Sequence, residues 1–101
     1  MDAFQVLAEP RRRRILELVW GRELAATEIA SQFDVTFGAV SQHLTVLREA
    51  HFVTVRKDGN RRLYRADEVA LGPFKDVLET MWSRTLRNLA DQIELEELES
   101  Q

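Results

Sequence analysis

Ser41, Gln42 and Thr45 are short polar side chains spaced so that a helical backbone, turning about 100° per residue, carries them on one face. A glutamine amide in such a place can bond both N6 and N7 of an adenine, and a serine hydroxyl beside it can donate or accept. Thr45 offers a hydroxyl for a phosphate or a methyl for a thymine methyl. Gly38 shares the face, and its missing side chain lets backbone amides come close to a phosphate oxygen. Shortly downstream, Arg56, Lys57, Arg61 and Arg62 supply cations suited to phosphates, and an arginine at the tip can enter a minor groove. Polar residues on a solvent-facing helix need no explanation by themselves, and Lys57 and Arg62 can equally form surface pairs of little energetic weight. The basic stretch close behind the polar face tips the balance towards binding a nucleic acid.

Other chemistry finds little support. Ser41 and His43 stand two residues apart, about 200° around a helix, so they form no nucleophile–base pair. His51 has no obvious acidic neighbour, and no glycine-rich phosphate loop is present, so the chain reads as no enzyme with no catalytic residues. Cysteine is absent, which excludes disulfides and thiolate metal or redox sites. No cofactor is expected. Phe37 lies on the flank of the apolar stripe, as suited to packing under the preceding turn as to touching a base. His43 is also on the flank, either structural or bonded to a phosphate. In the run Arg11–Arg14, Arg11 and Arg12 turn partly towards the apolar side of their helix and read as structural, whereas Arg13 reads as the most exposed and able to touch a phosphate.

The elements that must hold these residues follow from caps and periodicity. Asp2 is a candidate N-cap for a short helix with Phe4 and Leu7 on one face. Pro10 suits the first turn of a second helix, which carries Ile15, Leu16, Leu18 and Val19 inward and stops near Gly21. Thr27 starts a third helix with Glu28 in its first turn and Ile29, Ala30 and Phe33 as its apolar face. Asp34-Val35 makes a break. Thr36 caps a longer helix to about Ala50, with Val40, Leu44 and Leu47 inward, and is itself a candidate for DNA contact. Residues 52–57 and 61–65 read as strands around Asp58-Gly59-Asn60, a basic hairpin. Beyond Gly72-Pro73 a helix over about 73–96 carries the apolar stripe Phe74, Val77, Leu78, Met81, Trp82, Leu86, Leu89 and Ile93.

These elements predict a mainly α fold with a small β-hairpin wing: one winged helix-turn-helix domain over 1–101. The helix-turn-helix falls at about 27–50, the wing at about 52–65 and the last helix at about 73–96. The stripe on that helix is broad enough to serve two surfaces. One edge is expected on the core and the other on a second copy, making a homodimer through the terminal helices. Phe4, Leu7, Phe74, Leu78, Met81, Trp82 and Leu89 are the candidate interface residues, with Met81 and Trp82 at its centre.

The net charge of −3 hides an asymmetry. Residues 1–65 hold 11 Lys/Arg against 8 Asp/Glu, and residues 66–101 hold 3 against 9. A basic front can face phosphates while an acidic back stays away. No apolar N-terminal stretch of signal-peptide type and no apolar run of membrane-spanning length is present, so a cytoplasmic protein with no membrane partner is expected.

With these residues in hand, the chain resembles the ArsR (ArsR/SmtB-type) family of bacterial winged-helix repressors. The stretch VLAEPRRRRILELV, with Glu9-Pro10-Arg11-Arg12 before Ile15-Leu16, is similar to the family's opening. TEIASQFDVTFGAVSQHLTVLREAHFV resembles its helix-turn-helix, with Val40-Ser41, His43-Leu44 and Leu47-Arg48-Glu49-Ala50 in place, and VRKDGNRRLYR resembles its wing. The resemblance implies a transcriptional repressor that binds a pseudo-palindromic double-stranded DNA operator as a homodimer, one recognition helix per major groove. The family's thiolate metal site would fall at Leu24-Ala25-Ala26-Thr27, where no cysteine stands. The site across the terminal helices would have Asp76, Glu79, Asp91 and Glu94 but no histidine, so no metal is expected. Phe37 and Gly38 depart from the family's usual polar or proline residues. Two versions stay open: an autorepressor without inducer, or a repressor that releases DNA for an organic ligand seated among Phe4, Met81 and Trp82. Outside this class, the alternative is a winged-helix protein-interaction module.

Overall fold

The computed structural model describes residues 1–83. The first helix, α1 (Ala3–Ala8), opens with a reciprocal capping box: the Asp2 carboxylate accepts from the Gln5 amide at 2.8 Å, and the Gln5 side chain accepts from the Asp2 amide at 3.0 Å. Glu9 caps α2 (Pro10–Leu18) by accepting from the amides of Arg11 and Arg12, and Pro10 occupies the first turn, where its missing N–H costs nothing. Ile15, Leu16, Leu18 and Val19 are all buried, as their spacing requires.

After Gly21, which turns the chain at φ +73°, a two-residue strand β1 (Leu24–Ala25) precedes α3 (Ala26–Ala30). The helix expected from Thr27 therefore begins one residue earlier. The cause is Glu28, whose carboxylate reaches back to the Ala25 amide at 3.0 Å and caps the helix from within. Thr36 caps α4 (Phe37–Glu49) by accepting from the Ala39 amide at 3.1 Å, and Val40, Leu44 and Leu47 face the core. α4 ends in a Schellman motif: the Phe52 amide donates to the Leu47 carbonyl at 2.9 Å and the His51 amide to the Arg48 carbonyl at 3.0 Å. His51 takes the left-handed conformation at φ 63°, a position where glycine is usual.

Strands β2 (Val53–Asp58) and β3 (Arg61–Ala66) form the hairpin. Gly59 alone has positive φ in its two-residue turn, the pattern of a type II′ connection. β1 adds to the far side of β3, with Leu24 opposite Tyr64, so the sheet is three-stranded and antiparallel in the order β1-β3-β2. The expected hairpin thus has its base stitched to the helical body. Val53, Tyr64 and Ala66 turn inward, while the hairpin beyond Val55 and Leu63 is exposed.

A 3-10 turn (Gly72–Phe74) leads into residues 75–83, which are helical, with Leu78 buried in the core beside Leu71. Leu86, Leu89 and Ile93 of the expected stripe lie outside the described residues. Among the described residues, no helix is long and apolar enough to cross a membrane.

Candidate nucleic-acid interface

The exposed side of α4 carries Thr36, Phe37, Gly38, Gln42 and Thr45, with Ser41 half-buried at its edge. Phe37, Ser41 and Thr45, each four residues apart, make one stripe along the helix. The Thr45 hydroxyl donates to the Ser41 carbonyl at 3.1 Å, so its proton is already engaged and its methyl group and lone pairs are what it offers outward. A methyl-type contact suits this threonine better than donation to a phosphate.

Between α4 and the wing lies a cleft of about 350 Å³, lined by Phe37 and Ser41 from the helix, Asn60, Arg61, Arg62 and Tyr64 from the wing, and Ala25, Ala26 and Thr27 behind them. Four residues expected to contact DNA, Phe37, Ser41, Arg61 and Arg62, meet here. Asn60 and Thr27 also line the cleft and carried no signal in the sequence beyond their turn and cap positions.

The four wing cations are not equivalent. Arg56 binds the Glu23 carboxylate at 3.0 Å and Arg61 binds Glu28 at 2.6 Å, each 33 residues away in sequence. Lys57 and Arg62 sit directly opposite each other across the hairpin, and neither pairs with a carboxylate among the described residues. Like charges placed directly opposite each other destabilise a sheet. A phosphate placed between them would remove that repulsion, whereas Arg56 and Arg61 must exchange a carboxylate for it. The double change Lys57→Gln with Arg62→Gln should therefore weaken binding to any duplex about tenfold or more and lower the salt slope by about 2 for each bound subunit. It should also leave the fold as stable or slightly more stable. Arg56→Gln with Arg61→Gln should cost less affinity, as read by fluorescence anisotropy across a salt titration.

His43 does not face the open side of α4. It is half-buried against α2, with Nδ1 3.4 Å from Arg12 Nη1 and Nε2 3.7 Å from Glu9 Oε2. Arginine is always a donor, so Nδ1 accepts and the neutral ring carries its proton on Nε2, towards Glu9. Burial lowers the His43 pKa below the ordinary histidine value; Glu9 opposes this, and Arg12 and Arg11 add to it. The unfolded chain therefore binds a proton at a higher pH than the folded one. His43 contributes stability that is complete above about pH 6.5 and is lost as the pH falls through its lowered folded value. Chemical denaturation between pH 8 and 5 should show that decline, and His43→Gln should flatten it. The phosphate role considered for His43 gives way to a structural one.

The Arg11–Arg14 run follows expectation at Arg12 and departs from it at Arg11 and Arg13. Arg12, with only 9% of its surface exposed, donates from Nε to the Val6 carbonyl at 2.7 Å and from Nη2 to the Gln5 carbonyl at 3.2 Å. Arg13, expected to be the most exposed, is half-buried and donates to the carbonyls of Leu7 and Ala8 at 2.8 and 2.9 Å. The last four carbonyls of α1, which no helical amide can reach, are thus all held by two guanidinium groups. Arg11 and Arg14 are the exposed members of the run.

Away from this cleft, Phe4, Leu7, Ala8, Arg13, Phe74, Val77, Leu78 and Met81 line an apolar cavity of about 160 Å³. Phe4 is 77% exposed and Val77 55%, and Phe4 meets Phe74 edge-on with ring centres 5.9 Å apart. Among the residues expected at a subunit contact, Leu7 and Leu78 are buried in this chain's own core. Trp82 is half-buried as well, donating to the Arg13 carbonyl at 3.2 Å and packing edge-on to Trp20 at 5.5 Å. It therefore belongs to the intramolecular edge of the stripe, and Val77 and Met81 to the outer one, with Phe4 of α1 lining the same cavity.

A capped recognition helix, a short helix before it and a basic hairpin beside it define a winged helix-turn-helix DNA-binding regulator. Residues 9–55 match the bacterial regulatory protein family described as arsR. Over 94 residues the chain is 39% identical to the HTH-type transcriptional regulator Rv2034 of Mycobacterium tuberculosis, covering 93% of this chain and 88% of that one. It is 29% identical to the transcriptional repressor SdpR of Bacillus subtilis over 69% of this chain and 78% of that one. Among solved structures it is similar to the homodimeric winged helix-turn-helix DNA-binding domain Mb0332 of Mycobacterium bovis, with a TM-score of 0.67 and 25% identity over 78% of this chain and 73% of that one. The chain belongs to the arsR family of bacterial regulatory proteins.

Proposed function

We propose that this chain represses transcription in the cytoplasm by binding a pseudo-palindromic operator as a homodimer. Ser41 and Gln42 read base edges while Lys57 and Arg62 grip the flanking backbone. The observation that carries this reading is the cleft in which the first turn of α4 meets the cationic hairpin, one surface reading bases and the other holding phosphates. Dimerisation uses the outer edge of the last helix together with Phe4, which leaves a large aromatic ring exposed in the single chain. The apolar cavity on that face gives an organic inducer a seat next to the subunit contact.

The test is anisotropy with DNA from upstream of the coding region against an unrelated duplex, with salt titrated for both. A preference of about 4 kcal/mol or more for the native fragment supports an operator. Equal, weak binding of both, together with no enrichment from genomic fragments, overturns it. A titration of organic compounds followed by tryptophan fluorescence separates the two modes of control, because Trp82 lies one residue from the cavity-lining Met81. A uniformly flat response favours repression without an inducer.

A further inference from the structure

We infer that Phe37 is a specificity-determining residue that reads the 5-methyl group of a thymine in each operator half-site. This deepens the operator reading above and rests on it.

The ring occupies the first position of α4 and is 52% exposed, the largest apolar group on a face that is otherwise polar and cationic. It takes no part in the hydrophobic core and stacks on none of the other aromatic rings among the described residues. The core therefore gives no reason for a phenylalanine here. Its neighbours define what could cover it. Ser41 lies one turn on, and Arg61, Arg62 and Asn60 stand across the same cleft. An apolar ring beside arginines and amide groups suits a ligand that is polyanionic yet bears a small apolar group between its polar edges.

Duplex DNA offers one such group in the major groove, the thymine C5 methyl, and phenylalanine is among the side chains that meet it by apolar contact. Thr45 supports the same reading from the other end of the stripe. With its hydroxyl proton given to the Ser41 carbonyl, what remains to face a base is largely its methyl group. From Phe37 to Thr45 the helix advances about 12 Å, the rise of three to four base pairs. Two apolar groups thus bracket the polar pair Ser41 and Gln42 within one half-site.

The experiment selects bound sequences from a random duplex pool with the full chain. Each thymine of the enriched site is then replaced singly by deoxyuridine, which removes only the methyl group. Wild type, Phe37→Gln and Phe37→Leu are compared by anisotropy. At one thymine per half-site, deoxyuridine should weaken wild-type binding about fourfold, the effect of burying one methyl-sized group. Phe37→Gln should bind the thymine and deoxyuridine duplexes alike, and Phe37→Leu, still apolar, should keep most of the difference. An enriched site indifferent to deoxyuridine at every position, or a Phe37→Gln protein that keeps the full penalty at every thymine where wild type shows one, overturns the inference and leaves the operator reading standing. A wild-type protein that enriches no sequence overturns both.

Discussion

Arg12→Met is expected to destabilise the folded chain by about 3 kcal/mol, lowering the melting temperature by on the order of 15 °C. Methionine keeps the apolar stem, so the loss isolates the guanidinium. That group donates to the carbonyls of Val6 and Gln5 and to His43 Nδ1 from a nearly buried position. Hydrogen bonds from a charged donor contribute roughly 1.5–3 kcal/mol each, and abandoned buried carbonyls add a desolvation cost. Arg12→Lys should recover little, because an ammonium cannot reproduce the planar fork that spans several acceptors. Arg11→Ala is the control: its side chain is exposed, its contact with Glu9 is 3.9 Å long, and its loss should change stability by less than about 0.5 kcal/mol. Arg12→Met has a second signature. Removing a nearby positive charge should raise the His43 pKa, moving its acid transition to higher pH in an NMR titration. A variant that keeps both wild-type stability and wild-type titration would refute the assignment.

The second large effect concerns Ser41→Ala with Gln42→Ala. A good bidentate contact to the right base is worth roughly 1–3 kcal/mol, and a dimer makes it in both half-sites. Loss of about 2 kcal/mol per half-site removes about 4 kcal/mol of operator preference, close to a thousandfold. Binding to unrelated DNA and the slope of affinity against salt should stay where they were, because no cation has been removed. This pattern is the opposite of the one expected for Lys57 and Arg62, whose loss lowers affinity for every sequence and flattens the salt dependence. A double variant that loses both kinds of binding equally would place these residues in the fold rather than at the bases. Both residues touch the surface of α4, and circular dichroism with thermal melting settles whether the fold is intact.

Much of the fold was legible because its signals are local. Asp2, Pro10 and Thr36 act within three residues of themselves, and the spacing of Val40, Leu44 and Leu47 places one face inward whatever the rest of the chain does. Gly59 marks the hairpin turn for the same reason. What escaped was non-local. Strand β1 is two residues long, too short to show a period, and exists because β3 offers an edge. Arg12 and Arg13 serve carbonyls of the preceding helix, which their own helical phase does not reveal. Glu23 and Glu28 meet Arg56 and Arg61 across 33 residues, so the unequal standing of the four wing cations could not be read from a count of charges. Trp82 and Met81 are adjacent, and only the packing of Trp20 decides which of them faces inward.

The left-handed residue His51 has a consequence for recognition. By closing the end of α4 with two hydrogen bonds and delivering Phe52 straight into the core, it joins helix to sheet with no slack between them. The Asp67 amide then donates to the Phe52 carbonyl at 2.9 Å and ties the return strand to the same point. On the proposed reading, groove reader and backbone grip are thereby joined directly, so much of the orientational entropy of placing the second contact is spent when the first is made. Once α4 is seated, the wing meets its phosphates at a high effective concentration. Lengthening this junction by a few glycines would leave every contact residue in place and still weaken the complex.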